Sequence, residues 1–81
     1  MKLPRDLAGP HLAALLRRYG YEITRQTGSH MRLTSTFSGH QHHITIPAHD
    51  PLKIGTLSAI LADVAGYLGL TRKAVEVELF R

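Results

Sequence analysis

Tyr21-Glu22-Ile23-Thr24-Arg25-Gln26-Thr27-Gly28-Ser29-His30-Met31-Arg32-Leu33-Thr34-Ser35 reads as two strands folded back on each other. Residues 21–25 alternate as a strand, Thr27-Gly28 turns the chain, and 29–35 returns as a second strand. Residues two apart in a strand share a face, so His30 and Arg32 point one way while Met31 and Leu33 point the other. Met31 and Leu33 then face a core. A proton-transfer group and a fixed cation are left together on the open side, a minimal arrangement for handling a phosphodiester.

The flanking segments supply the cover. Upstream, Leu12, Leu15, Leu16 and Tyr19 recur at helical spacing, with Pro10 suited to a helix start and Gly20 to its stop. A helix is expected over 10–19. Downstream, Ser38-Gly39 marks a loop, and His42 to Ile46 forms a third strand with Ile44 and Ile46 on one face, ended by Pro47. Thr56 is the expected N-cap of a second helix whose stripe is Leu57, Ile60, Leu61, Val64 and Leu68, with Gly69 at its end. The tail is ambiguous by pattern. Thr71 can cap a short helix stapled by Leu70 and Val75, while Val75-Glu76-Val77-Glu78-Leu79 also alternates like a strand; helix is the expectation. The architecture expected is α+β, in the order α-β-β-β-α plus a short C-terminal helix. Its three-stranded antiparallel sheet is covered by helices on one face and free on the other.

Eighty-one residues make a single domain, 1–81, near the size where one core becomes marginal. With no cysteine there is neither a disulfide nor a thiolate zinc site. Met1-Lys2-Leu3-Pro4 does not open a signal peptide, and 54–70 is too short and polar for a membrane span, so a soluble, cytoplasmic protein with no membrane partner is expected. The net charge is +4, all of it carried by residues 1–62. Such a balance suits an anionic partner, nucleic acid being the commonest, although ordinary solubilising charge gives the same number.

Several residue groups suit an anionic polymer. Arg32 can set a planar cation against a phosphate. Gly28 permits the turn's positive φ, and Ser29 caps the turn or bonds a phosphate oxygen. Lys53-Ile54-Gly55-Thr56 brings free amides and a lysine together at a helix start. Arg17, Arg18 and Arg25 form either a phosphate-tracking stripe or a solvated face. The tract His40-x-His42-His43 resembles a metal site by composition, but His42 and His43 point to opposite faces of a strand, so no metal and no other cofactor is expected. If His42 lies with Ile44 on the core side, His43 lies on the open face as a candidate second proton-transfer group beside His30.

Five segments stand in order at compatible spacing: Leu12-x-x-Leu15-Leu16, Gly20-Tyr21, Arg25-Gln26-x-Gly28-Ser29-His30, Ile44-Thr45-Ile46-Pro47-x-His49 and Gly55-Thr56-Leu57-x-x-Ile60-Leu61. With them the chain resembles the HicA toxins, mRNA-cleaving members of bacterial toxin–antitoxin pairs with a fold like the double-stranded-RNA-binding domain (dsRBD). The resemblance runs from about residue 7 to 80. It implies that His30, in the Gly-Ser-His motif, is catalytic, that the substrate is mRNA, and that a HicB-type antitoxin covers the active face. His49 also falls on a family position. Two departures stand out: the histidine-rich 36–43 segment, and a second helix about one turn longer.

The chemistry agrees with that implication. Cleavage through the 2′-hydroxyl needs proton transfer and charge stabilisation, and a histidine, with an ordinary pKa of about 6.5, performs the first without a metal. The leading expectation is therefore a metal-independent endoribonuclease (an mRNA interferase) working through His30. The alternative is a non-catalytic RNA-binding or antitoxin-binding module of the same fold.

Overall fold

The computed structural model describes residues 3–81. The first helix, α1 (Gly9–Leu15), has Pro10 in its first turn and continues as a 3-10 turn over Leu16–Tyr19 before stopping at Gly20. The expected single helix over 10–19 is thus split. The Gly20 amide bonds the Arg17 carbonyl at 3.0 Å, three residues back, which is the tighter 3-10 pattern.

Next come β1 (Glu22–Thr27) and β2 (His30–Ser35), joined by Gly28-Ser29 alone. Gly28 has φ 56° and is the first of two loop residues, the position at which a type II′ hairpin demands glycine. The third strand, β3 (His42–Pro47), pairs antiparallel with β2, giving the order β1-β2-β3. Met31 sits opposite Ile46 and Leu33 opposite Ile44, and all four side chains are buried.

Two longer elements close the fold. The helix α2 (Ile54–Leu68) lays Leu57, Ile60, Leu61 and Val64 into the core, with Leu68 only partly buried, and ends at Gly69 in the left-handed conformation. It starts earlier than expected. The Leu57 amide bonds the Lys53 carbonyl at 2.9 Å, so Lys53 is the N-cap and Thr56 is the third helical residue, not the cap. The tail is helical, as expected: α3 (Arg72–Phe80) is capped by the Thr71 hydroxyl, which accepts from the Ala74 amide at 3.1 Å. Val75 and Leu79, four residues apart, both reach the core. Leu70, the expected staple partner of Val75, instead stays 42% exposed.

The order α-β-β-β-α-α and the antiparallel sheet make an α+β fold consistent with the dsRBD type. Helix α1 crosses β3 so closely that a Cβ at Gly9 would lie 1.9 Å from the Pro47 carbonyl oxygen. The helical layer stops short of β1, whose six residues are all exposed. Ile23 is 51% exposed although its partner Leu33 is fully buried. No single helix among the described residues is long and apolar enough to cross a membrane.

Candidate functional site

Strand register fixes what the open sheet face displays. Three rows cross it: Thr27, His30 and Pro47; then Arg25, Arg32 and Thr45; then Glu22, Thr34 and His43. His30 and Arg32 are exposed residues of β2 on this face, two positions apart, about 7 Å along the strand. Arg25 is the direct cross-strand partner of Arg32. Like charges in such a pair oppose folding by roughly 0.2–1 kcal/mol. Among the described residues the carboxylates in contact with a basic side chain are Asp63, on His42, and Glu76, on Arg72, so neither guanidinium is neutralised by a carboxylate. Two uncompensated cations beside an exposed imidazole attract an anion.

The hairpin aims His30. Gly28 turns the chain within two residues, and the Ser29 carbonyl accepts from the Ala48 amide at 2.6 Å, tying the turn to the end of β3. The Ser29 contribution seen here is therefore made by its backbone. His49 also acts through its backbone, its carbonyl accepting from the Gly9 amide at 2.8 Å while its side chain is exposed.

Two expectations about the basic and histidine residues change. The Arg17-Arg18-Arg25 stripe does not form. Arg18 donates to the Glu78 carbonyl on α3, Arg17 lines a groove between α1 and β1 with Pro10, Ala13 and Ile23, and Arg25 belongs to the open face. Consecutive residues of a 3-10 turn diverge by about 120°, which separates the first two. Lys53 is exposed at the start of α2, and Thr56 beside it is half-buried within the first helical turn. His43 does share the open face, but it sits opposite Thr34, four residues of β2 from His30, or roughly 13 Å. That is four strand positions from His30, not beside it.

His42 lies on the covered side, as its alternation with His43 requires. Its Nε2 faces an Asp63 oxygen at 3.2 Å and its Nδ1 faces the Tyr21 hydroxyl at 2.7 Å. An ionised carboxylate only accepts, so Nε2 carries the proton and Nδ1 accepts from Tyr21. Burial, with Tyr67 and Asp63 nearby, raises the Tyr21 phenol above its ordinary value, which keeps it a donor. Tyr67 stacks on His42 with centroids 4.6 Å apart, and its hydroxyl accepts from the Ser38 amide at 2.9 Å and donates to the His40 carbonyl. This cluster holds the 36–41 loop against α2. Sequence reading missed it, although Asp63 and Tyr67 at i,i+4 on one helix face were its legible signal.

The family model described as "HicA toxin of bacterial toxin-antitoxin" matches residues 9–65, more than half the chain and every element from α1 into α2. The chain belongs to the HicA toxin family. It is the toxin member of a toxin–antitoxin system, with an antitoxin implied as its partner. The match spans the Gly28-Ser29-His30 hairpin, both arginines of the central row and the histidine-rich third strand. Comparison with curated proteins and with solved structures gives no match.

Proposed function

We propose that this HicA toxin is an endoribonuclease that cleaves mRNA without a metal, with His30 as its proton-transfer group. The observation that carries the proposal is the open sheet face: an exposed imidazole two residues from Arg32, itself paired across strands with Arg25. In this reading neutral His30 takes the proton from a ribose 2′-hydroxyl. The freed oxygen attacks the adjacent phosphorus, the new P–O2′ bond forms, and the P–O5′ bond breaks. Solvent reaches the open face and protonates the leaving 5′-oxygen. Arg32 and Arg25 lie where they offset the charge gathering on the phosphorane oxygens. Gly28 and Ser29 set the hairpin, and Arg17, Lys53 and Thr56 lie outside the face as candidate contacts to flanking phosphates.

A HicB-type antitoxin is the proposed partner, covering the same face and masking its cations. The decisive experiment replaces His30 by Ala and follows cleavage of a defined RNA by the purified protein. The variant should keep the wild-type circular dichroism and melting temperature, because the side chain is exposed, and should lose cleavage by roughly 10²–10⁴-fold. A folded His30→Ala protein cutting at the wild-type rate would falsify the assignment. A folded wild type that binds RNA and never cuts it would leave the RNA-binding-module reading in its place.

A further inference from the structure

We propose that the Thr24–Thr34–His43 row is a second RNA-contact site, for a backbone phosphate flanking the cut, and that His43 binds there and moves no proton in the cleavage. The proposal rests on RNA being the ligand of the open face.

Each strand contributes one member. The Thr24 and Thr34 hydroxyls lie 2.8 Å apart, and the Thr34 hydroxyl lies 2.8 Å from His43 Nδ1. Thr24 owes its place to an irregularity: the pairing register shifts between Ile23 and Arg25, so Thr24 is the extra residue of a β-bulge. Bulges re-aim side chains, and this one brings the Thr24 hydroxyl onto Thr34.

Proton accounting explains what the row does. Each hydroxyl has one proton to give and lone pairs to accept with. In one sense of the chain Thr24 donates to Thr34, Thr34 donates to Nδ1, and Nε2 carries the ring proton. In the other, Thr24 donates to the Arg32 carbonyl at 3.4 Å, Thr34 donates to Thr24, and Nδ1–H donates to Thr34. The second sense also accommodates the imidazolium. The ring therefore keeps one orientation in either protonation state, with Nδ1 held and Nε2 turned away from the row. A residue fixed this way is prepared to bind an anion from its outer nitrogen.

Position selects the ligand. An RNA backbone laid along β2 from His30 passes Arg32 and Arg25 and then meets His43, roughly 13 Å from His30 and beyond the reach of the same phosphodiester. Glu22 is also registered against Thr34, at the β1 end of the row and away from His43 on β3.

The test uses 2′-O-methyl RNA, which cannot be cut through the 2′-hydroxyl, as a dinucleotide and as an octanucleotide, with binding read by fluorescence anisotropy. His43→Ala should weaken octanucleotide binding by roughly 3–10-fold, the worth of one hydrogen bond, leaving the dinucleotide unchanged. Thr34→Val, which keeps the shape and removes the hydroxyl, should lose part of the same affinity. On a cleavable dinucleotide, His43→Ala should retain kcat and both arms of the pH–rate profile. Unchanged octanucleotide affinity in His43→Ala would overturn the site. A fall in kcat with loss of one pH arm would overturn it too, returning His43 to proton transfer. Because the methylated oligomer is never cut, the binding comparison decides the proposal even if the wild type proves not to be a nuclease.

Discussion

Two neighbouring histidines of β3 live in opposite environments, and the difference is one of alternation. His43 stands in solvent on the sheet's open face, whereas His42 is wedged between the Tyr21 hydroxyl and the Asp63 carboxylate under the ring of Tyr67. Tyr21 is fully buried, and His42 is the partner of its hydroxyl. Leaving such a donor unpaired costs about 1–3 kcal/mol, before the loss of the stack. His42→Ala should therefore destabilise the protein by at least that much. Thermal unfolding checks it, since each kcal/mol moves the melting temperature by roughly 4–8 °C in a domain of this size. The alternation of His42 and His43 was legible in the sequence. The partners Tyr21 and Asp63, 21 residues away on either side, were not.

At the scale of elements, the C-terminal helix α3 is attached by polar contacts as well as by Val75 and Leu79. The Tyr19 hydroxyl donates to the Glu78 carboxylate, and Arg18 donates to the Glu78 carbonyl. Burial, aided by the Glu78 hydrogen bond and charge, pushes the Tyr19 pKa up to about 12 from 10.0. The sign follows from proton binding. Below pH 10 both folded and unfolded chains hold the phenol proton; between about 10 and 12 only the unfolded chain releases it, so stability falls through that window. Tyr19→Phe removes both the bond and the ionisation. Its stability deficit against wild type, about 1.5–3 kcal/mol at pH 8 for a bond to a charged acceptor, should shrink as the pH passes 10. Denaturant melts of both proteins at a series of alkaline pH values check this. A deficit constant across the window would detach α3 from this contact.

At the scale of the whole molecule, the covering helices leave one sheet face bare and one strand, β1, exposed throughout. The uncompensated Arg25–Arg32 pair opposes folding, and phosphate binding is its proposed use. Replacing both by Gln should reduce the magnitude of the salt slope of RNA affinity by about 1.4, two phosphate contacts on a single strand. The melting temperature should hold or rise, because like-charge repulsion is removed. Affinity measured across a salt series, beside thermal unfolding, checks both halves. Arg18→Ala serves as the contrast: its guanidinium is engaged on α3, so it should cost stability and leave the salt slope unchanged.

The local chemistry of the chain determined its elements. Alternation placed Met31 and Leu33 against His30 and Arg32, Gly28 set the hairpin, and the Leu57-Ile60-Leu61-Val64 stripe made α2, because side-chain periodicity and backbone φ act within a few residues. The Thr71 cap settled the tail as helix within one turn. Only the tertiary structure decided which charges meet. The bulge at Thr24, the register that puts His43 opposite Thr34, and the docking of Arg18 on α3 all depend on contacts between distant segments. The start of α2 at Ile54 follows Leu52, whose side chain is buried and whose amide bonds the distant Leu7 carbonyl at 2.8 Å, and not the better capping residue, Thr56. Which face a side chain takes follows from its neighbours in sequence; what stands across from it follows from register, which long-range packing sets.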